Sequence, residues 1–418
     1  MAYLIFNIRA LLNVREKNEL LKGQSLSHLP SISNAFIVVE DGKIIDFGEE
    51  KNLSESYKAN YNLIDAKQAY VLPTYCDSHT HIVFAATREE EFIDKIKGLS
   101  YAEIAAKGGG ILNSAAKLAA TSEDELYRLA SKRLENVIKL GTGAIEIKSG
   151  YGLTVEAELK MLRVIKALKN NFSIPIKATF LGAHTYPIAY KQDHEAYIDS
   201  IINDMLPKIA EENLADFVDV FCEDGFFNVQ EMEAICNAAS KYNLTPKLHV
   251  NQLNSIGGLQ KGVELNALSL DHLETLTTHD INYLHQAYTN GYKGLCTLLP
   301  TAAFFLRMNY QPARTLIDAN CAIALASDYN PGSSPSGNMN FVNALSCIQM
   351  KMLPEEVINA STINGAFAMN VQDKVGSITK GKQANLIFTK PIPSIAYMPY
   401  SFGENFIDKV MINGEFFN

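Results

Sequence analysis

The chain has 418 residues, 47% apolar and 20% charged, with a formal net charge of -9. That length allows a large buried core, and the composition is that of a soluble globular protein. The acidic balance argues against a general nucleic-acid binder, because no basic excess exists to neutralise phosphates; an anionic small substrate stays open, since one local arginine can hold it. The most apolar stretch, 294–306, is too short for a bilayer and contains Pro300. The start, Met1-Ala2-Tyr3-Leu4-Ile5-Phe6, meets Arg9 without a signal-peptide pattern. The expectation is a cytoplasmic enzyme with no membrane partner. The cysteines (Cys76, Cys222, Cys236, Cys296, Cys321 and Cys347) form no Cys-x-x-Cys pair, which favours buried free thiols over thiolate or disulfide frameworks.

Residues 1–68 read as short strands. Ala35 to Glu40, Asp41-Gly42 and Lys43 to Gly48 predict a tight hairpin, because Asp-Gly suits the positive φ angles of a type I′ turn. The far end, 373–418, has the same character, with Asn413-Gly414 as a second hairpin turn. Two β-rich ends predict one small β-sandwich domain built from both termini. Between them, 69–372 alternates. Apolar strand-like runs fall at 71–76, 144–149, 176–184, 217–223, 247–250, 267–273, 294–300 and 323–327, with amphipathic stretches between most of them. The clearest helix spans 122–140: Ser122 with Glu125 makes a capping box, Leu126, Leu129, Ala130, Val137 and Ile138 share a face, and Gly141 follows. Asn228 with Glu231 opens another. This α/β alternation predicts a (β/α)8 TIM-like barrel. A doubly wound sheet is the runner-up, but no Gly-x-Gly-x-x-Gly follows the early strands, and Gly108-Gly109-Gly110 reads as a loop.

In such a barrel the chemistry sits at the C-terminal strand ends. The first run ends in His79-Thr80-His81, whose i and i+2 side chains face one side of an extended backbone. Later runs end in Lys148 and then Tyr151, in His184, in Glu223, in His249 and then Gln252, in His272, and in Asp328. A lone strand-end histidine is usually structural. Five of them with an aspartate at successive strand ends point to a metal site. His28, His194, His279 and His285 fall in loops or on helices and read as solvated or capping.

His79-Thr80-His81, His249, His272 and Asp328 together resemble the amidohydrolase superfamily. The longer motifs 146–153, 179–184, 221–223 and 327–333, together with Arg88 at the end of the stretch 71–88 that carries His79 and His81, resemble the imidazolonepropionase family within it. The resemblance implies a metal-dependent hydrolase of histidine degradation that opens the cyclic amide of 4-imidazolone-5-propanoate to N-formimidoyl-L-glutamate. It implies His79, His81, His249 and Asp328 as ligands of one zinc or iron ion. The fourth strand ends Phe221-Cys222-Glu223, without the lysine that bridges two metals in many relatives. Asp328 is expected to carry the proton and His272 to bind the oxyanion. Lys148 is read as structural or supporting the ligands. Arg88, which alone would read as a surface charge, is expected to clamp the propanoate bidentately. Tyr151, His184, Gln252, Asn330, Gly332, Ser333 and Tyr101 are the remaining expected substrate contacts. Gln252 stands where some relatives have Glu and cannot act as a base. Relatives imply a homodimer. The alternatives are another amidohydrolase, such as a nucleobase deaminase, which would not need Arg88, and a catalytically silent scaffold, which would have lost ligands.

Overall fold

The computed structural model describes residues 2–99, 103, 107 and 109–417. In chain order the first five strands are β1 (Ala2–Leu12), β2 (Ser31–Glu40), β3 (Lys43–Glu49), β4 (Asn62–Asp65) and β5 (Tyr70–Pro73). The next eight are β6 (Tyr75–Asp77), β7 (Thr142–Lys148), β8 (Ile176–Ala183), β9 (Phe217–Cys222), β10 (Thr245–Val250), β11 (Ser269–His272), β12 (Leu295–Leu298) and β13 (Ile323–Leu325). The last three are β14 (Leu386–Thr389), β15 (Ile407–Ile412) and β16 (Glu415–Phe417).

The middle eight form a parallel sheet in sequence order. Their near-continuous burial is what parallel strands with helices on one face and a filled interior on the other require. Helices fall between them as expected. Glu123–Lys139 is capped by Ser122, whose Oγ accepts from the Glu125 N–H at 3.3 Å, and it buries Leu126, Ala130, Leu134, Val137 and Ile138. At Val229–Ser240 the capping box is complete: Asn228 Oδ1 accepts from the Glu231 N–H, and Glu231 returns to the Asn228 N–H at 2.7 Å.

The seam between β6 and β13 closes just beyond the strands. The Asp328 N–H donates to the His79 carbonyl at 3.0 Å and the His81 N–H to the Tyr329 carbonyl at 2.8 Å. Below them the Asp77 carboxylate accepts from the Ser327 N–H and hydroxyl at 3.0 and 2.6 Å. The residues that close the barrel are thus the neighbours of the strand-end histidines.

Both termini build the second sheet, ordered β16-β15-β14-β5-β1-β2-β3 with β4 beside β1. The expected turns are present: Asp41 and Gly42 have φ of 47° and 78°, Asn413 and Gly414 of 49° and 80°. The sheet folds back until these two turns touch, so that a Cβ added to Gly42 would lie 2.6 Å from Asn413 Oδ1. Ile5, Ile37 and Val39 from one end then share a core with Leu386, Phe388 and Met411 from the other. The run expected as a single strand at 71–76 is split. Tyr70–Pro73 pairs with β1 and β14, and the barrel begins only at Tyr75. The physical cause is a change of partner across Thr74. The Thr74 N–H goes to Asn385 of the terminal sheet at 3.1 Å, and the Tyr75 N–H goes to Gly141 of the barrel at 2.9 Å. The six cysteines are free, and all but Cys347 are buried. Among the described residues no helix is long and apolar enough to cross a membrane.

Candidate metal centre and substrate cavity

His79, His81 and His249 converge at the C-terminal end of the barrel, with one nitrogen of each within 4.8 Å of the others. The Nε2 atoms of His79 and His81 lie 3.4 Å apart, and Asp328 Oδ1 is 3.5 Å from both. Donors about 2.1 Å from a shared ion in tetrahedral geometry would stand about 3.4 Å from one another. Burial, together with neighbouring positive groups, pushes all three histidines well below the ordinary imidazole range. They are therefore neutral, the form that can donate a lone pair to a metal. The donor set fits a metal ion. Asp328 reaches the centre because its backbone turns off β13 in the left-handed region, with φ of 53°, while burial pushes its carboxyl up to about 7.

Behind the donors lies a charged layer of which the sequence reading named only Lys148, as structural or supporting the ligands. Asp271 Oδ2 is 2.6 Å from His79 Nδ1, and Asp219 Oδ2 is 2.7 Å from His249 Nδ1. Each carboxylate fixes a tautomer and leaves Nε2 facing the centre. Lys148 Nζ sits between them, 2.8 Å from Asp219 and 3.6 Å from Asp271, and also 2.7 Å from Glu146. Lys247 contacts Glu146 from the far side at 2.9 Å. All these side chains are buried. Burial alone would favour a neutral Lys148, but Asp219, Glu146 and Asp271 hold it as an ammonium above the ordinary lysine range. Lys148, Asp219 and Asp271 come from β7, β9 and β11, alternate strands that fill one layer of a barrel interior. The available signal was charge inside the apolar runs, Glu146 and Lys148 in one and a single Asp219 in Phe217-Val218-Asp219-Val220-Phe221.

His272 has a φ of 86°, a conformation that costs energy for a residue with a Cβ. Its Nδ1 lies 3.2 Å from Glu274 Oε1, which Gln311 Nε2 holds at 2.9 Å. Burial would lower the His272 pKa, but Glu274 and then Asp328 raise it above the ordinary value.

Arg88, Tyr151, His184, Gln252, Asn330, Gly332 and Ser333 line one cavity of about 510 Å³. The cavity adjoins the donors: the His184 ring stacks on His81 with centroids 5.6 Å apart, and Ser333 Oγ donates to Asp328 Oδ2 at 3.3 Å. His184 Nδ1 donates to the Gly150 carbonyl at 3.0 Å, and burial pushes this histidine down to about 4. Asn330 shapes its loop, accepting from the Gly332 and Ser333 N–H groups at 2.8 Å and donating to the Asp328 carbonyl at 2.6 Å. Glu223 accepts the Leu253 and Asn254 N–H groups at 2.8 Å, holding the segment that follows Gln252. Tyr101 lies outside the described residues.

Arg88 is no surface charge. Its side chain is 12% exposed, and Nη2 pairs with Glu91, in the first turn of the helix Glu89–Ile96. Glu91 also accepts the Gly110 N–H at 2.9 Å; burial would raise its pKa, but Arg88 and Gly110 bring it below the usual carboxylate range. Gly332 packs directly on the guanidinium, so an added Cβ would collide with Arg88 Nη1. Gly332→Ala is therefore expected to displace Arg88, raising KM several-fold with little change in melting temperature, because the clash falls on the far end of a flexible side chain. Steady-state kinetics beside thermal denaturation check this.

Residues 70–417 match the amidohydrolase family model. The imidazolonepropionase of Christiangramia forsetii is 54% identical over 416 residues, covering 99% of this chain and 100% of that protein. The one from Flavobacterium johnsoniae is 56% identical with the same coverage, and that of Clostridium tetani 42% identical over 94% of this chain and 92% of its own length. Among solved structures, the triazine hydrolase of Arthrobacter aurescens superposes with a TM-score of 0.72 at 14% identity, covering 99% of this chain and 94% of that one. A guanine deaminase from C. acetobutylicum, with guanine in its active site, gives 0.70 at 16% with both chains fully covered. At such identity these two likenesses concern the fold alone. Full-length relatives above half identity, together with the match over 70–417, show that the chain belongs to the amidohydrolase family and, within it, to the imidazolonepropionases.

Proposed function

We propose that the cavity binds 4-imidazolone-5-propanoate and that the chain hydrolyses its cyclic amide C–N bond to N-formimidoyl-L-glutamate. One observation carries this reading: a converging His79, His81, His249 and Asp328 set adjoins a cavity that also contains the part-buried Arg88. Opening an amide ring calls for the first, and a propanoate calls for the second. A nucleobase has no carboxylate for Arg88, so the deaminase alternative leaves that residue without a partner on the substrate.

In this proposal His79, His81, His249 and Asp328 hold one zinc or iron ion, a donor set that suits either. A single ion is supported by β9 ending in Cys222 and Glu223, with Glu223 committed to backbone N–H groups. When bound, the ion supplies Lewis acidity, making water a nucleophile at neutral pH and drawing charge from the ring carbonyl. Asp271 and Asp219 keep the Nδ1 protons of His79 and His249 in place. Asp328 takes a proton from the attacking water and passes it to the ring nitrogen as the C–N bond breaks. His272, with Nδ1 committed to Glu274, has Nε2–H free to donate to the oxygen of the tetrahedral carbon. Arg88 binds the propanoate. Tyr151 and His184 wall the ring, and Gln252 offers it an amide hydrogen bond. Asn330, Gly332 and Ser333 shape the floor beside Asp328, and Tyr101 is a further contact. The barrel over 69–372 is the catalytic unit of a cytoplasmic homodimer, with no nucleic-acid or membrane partner; the net charge of -9 supports the first exclusion.

The test follows ultraviolet loss of freshly generated 4-imidazolone-5-propanoate with protein of known metal content and identifies the product. Turnover to formimidoylglutamate, abolished by a chelator and restored by zinc or iron, is the expected result. No turnover with about one metal per chain would move the assignment to another cyclic amide or amidine.

A further inference from the structure

The cavity contains a second cation that the mechanism above leaves idle. Lys95 lies in the last turn of the helix Glu89–Ile96, two turns beyond Arg88, so both side chains leave one face of the helix. Lys95 lines the same cavity as Arg88. Its Nζ donates to the Gly332 carbonyl at 3.3 Å, a long bond to a neutral acceptor that a ligand can replace. Gly332 is also the residue packed against Arg88 Nη1. Two cations spaced two helical turns apart therefore meet at one glycine on the cavity wall.

Their charges are not balanced. Among the described residues, Glu91 is the one carboxylate paired with Arg88, through Nη2. Asp94, on the same helix, is paired with Lys107 at 3.2 Å. Among the described residues, Lys95 forms no ion pair within 4.0 Å, and Arg88 Nε has no hydrogen-bond acceptor although it is buried. Two cations against one carboxylate leave one positive charge at this end of the cavity. A monoanionic carboxylate neutralises it, whereas a phosphate dianion would overshoot.

We propose that Lys95 is a substrate-binding cation that shares the propanoate carboxylate with Arg88, and that the pair selects a carboxylate side chain over its neutral amide. The inference rests on the imidazolone-propanoate reading of this cavity. One carboxylate oxygen takes Arg88, and the other takes Lys95 as it releases the Gly332 carbonyl. Salt weakens this capture in part only, because both groups are half or more buried.

The test compares binding of imidazole-4-propanoate and imidazole-4-propanamide, ring analogues without a hydrolysable carbonyl, by calorimetry on the metal-loaded enzyme. Losing a charge-assisted hydrogen bond predicts that K95M weakens the propanoate about tenfold or more. The propanamide should bind K95M as it binds wild type, and K95R should restore the propanoate. In turnover, KM should rise in K95M with kcat little changed; K95Q serves as a second neutral variant. Equal losses for both ligands would mean a structural role, and no loss for the propanoate would mean no role; either overturns the inference. Wild-type protein that shows the Lys95-dependent preference yet never opens the ring would keep the anion site and remove the reaction assignment. Rapid turnover with an unchanged KM in K95M would do the reverse.

Discussion

Asp328→Asn is expected to fold, to melt near the wild-type temperature and to lose about a hundredfold to ten-thousandfold in kcat, the range for removing a positioned general acid-base. The backbone of residue 328 does the structural work, and asparagine keeps it. Its N–H closes the seam onto the His79 carbonyl, and its carbonyl accepts from Asn330. The left-handed φ of 53° is one that asparagine adopts readily. An amide oxygen can still face His79 and His81, but it cannot take a proton from water and return it to the leaving nitrogen. Rates are to be normalised to bound metal, so that loss of the ion is separated from loss of the shuttle. Turnover near wild type would remove Asp328 from the proton path.

Lys148→Met is expected to lower unfolding free energy by about 3–5 kcal/mol, the cost of stranding buried partners. It should also weaken metal binding about 10- to 100-fold, as loss of a group that orients ligands does. Without its ammonium, Glu146, Asp219 and Asp271 share a buried layer with Lys247 as the one remaining cation. Like charges then push Asp219 and Asp271 apart, and these two carboxylates aim His249 and His79. Urea denaturation of the metal-free protein reads the first effect, and competition with a chelator reads the second. A stability loss with unchanged metal affinity would show that the layer supports the barrel without tuning the donors.

The barrel was legible because its strands are buried on both faces and read as mostly apolar runs, while the helices between them carry caps such as Ser122 and Asn228. The strand-end histidines were legible because the barrel rule assigns meaning to position. The ion layer was not. A lone Asp219 within a strand says nothing until the topology sets β7, β9 and β11 in register around one interior. Arg88 was found by resemblance, and its burial by the helix that follows it and by Gly332 could not be read locally. Lys95 escaped for the same reason: its seven-residue spacing from Arg88 has meaning only once 330–334 has folded against that helix.

The seam joins Asp77 to Ser327, partners 250 residues apart in the chain. The Asp328 carboxylate thus reaches the three histidines only when the last strand docks beside the first. A chain that stalls after β12 presents imidazoles without Asp328, and a fragment from β9 onward lacks His79 and His81. No stretch of this polypeptide inherits a weak version of the activity; ring opening is a property of the finished cylinder. The same contacts tie the site to the seam: parting β6 from β13 would break the Asp328–His79 and His81–Tyr329 backbone bonds and withdraw Asp328 from the histidines.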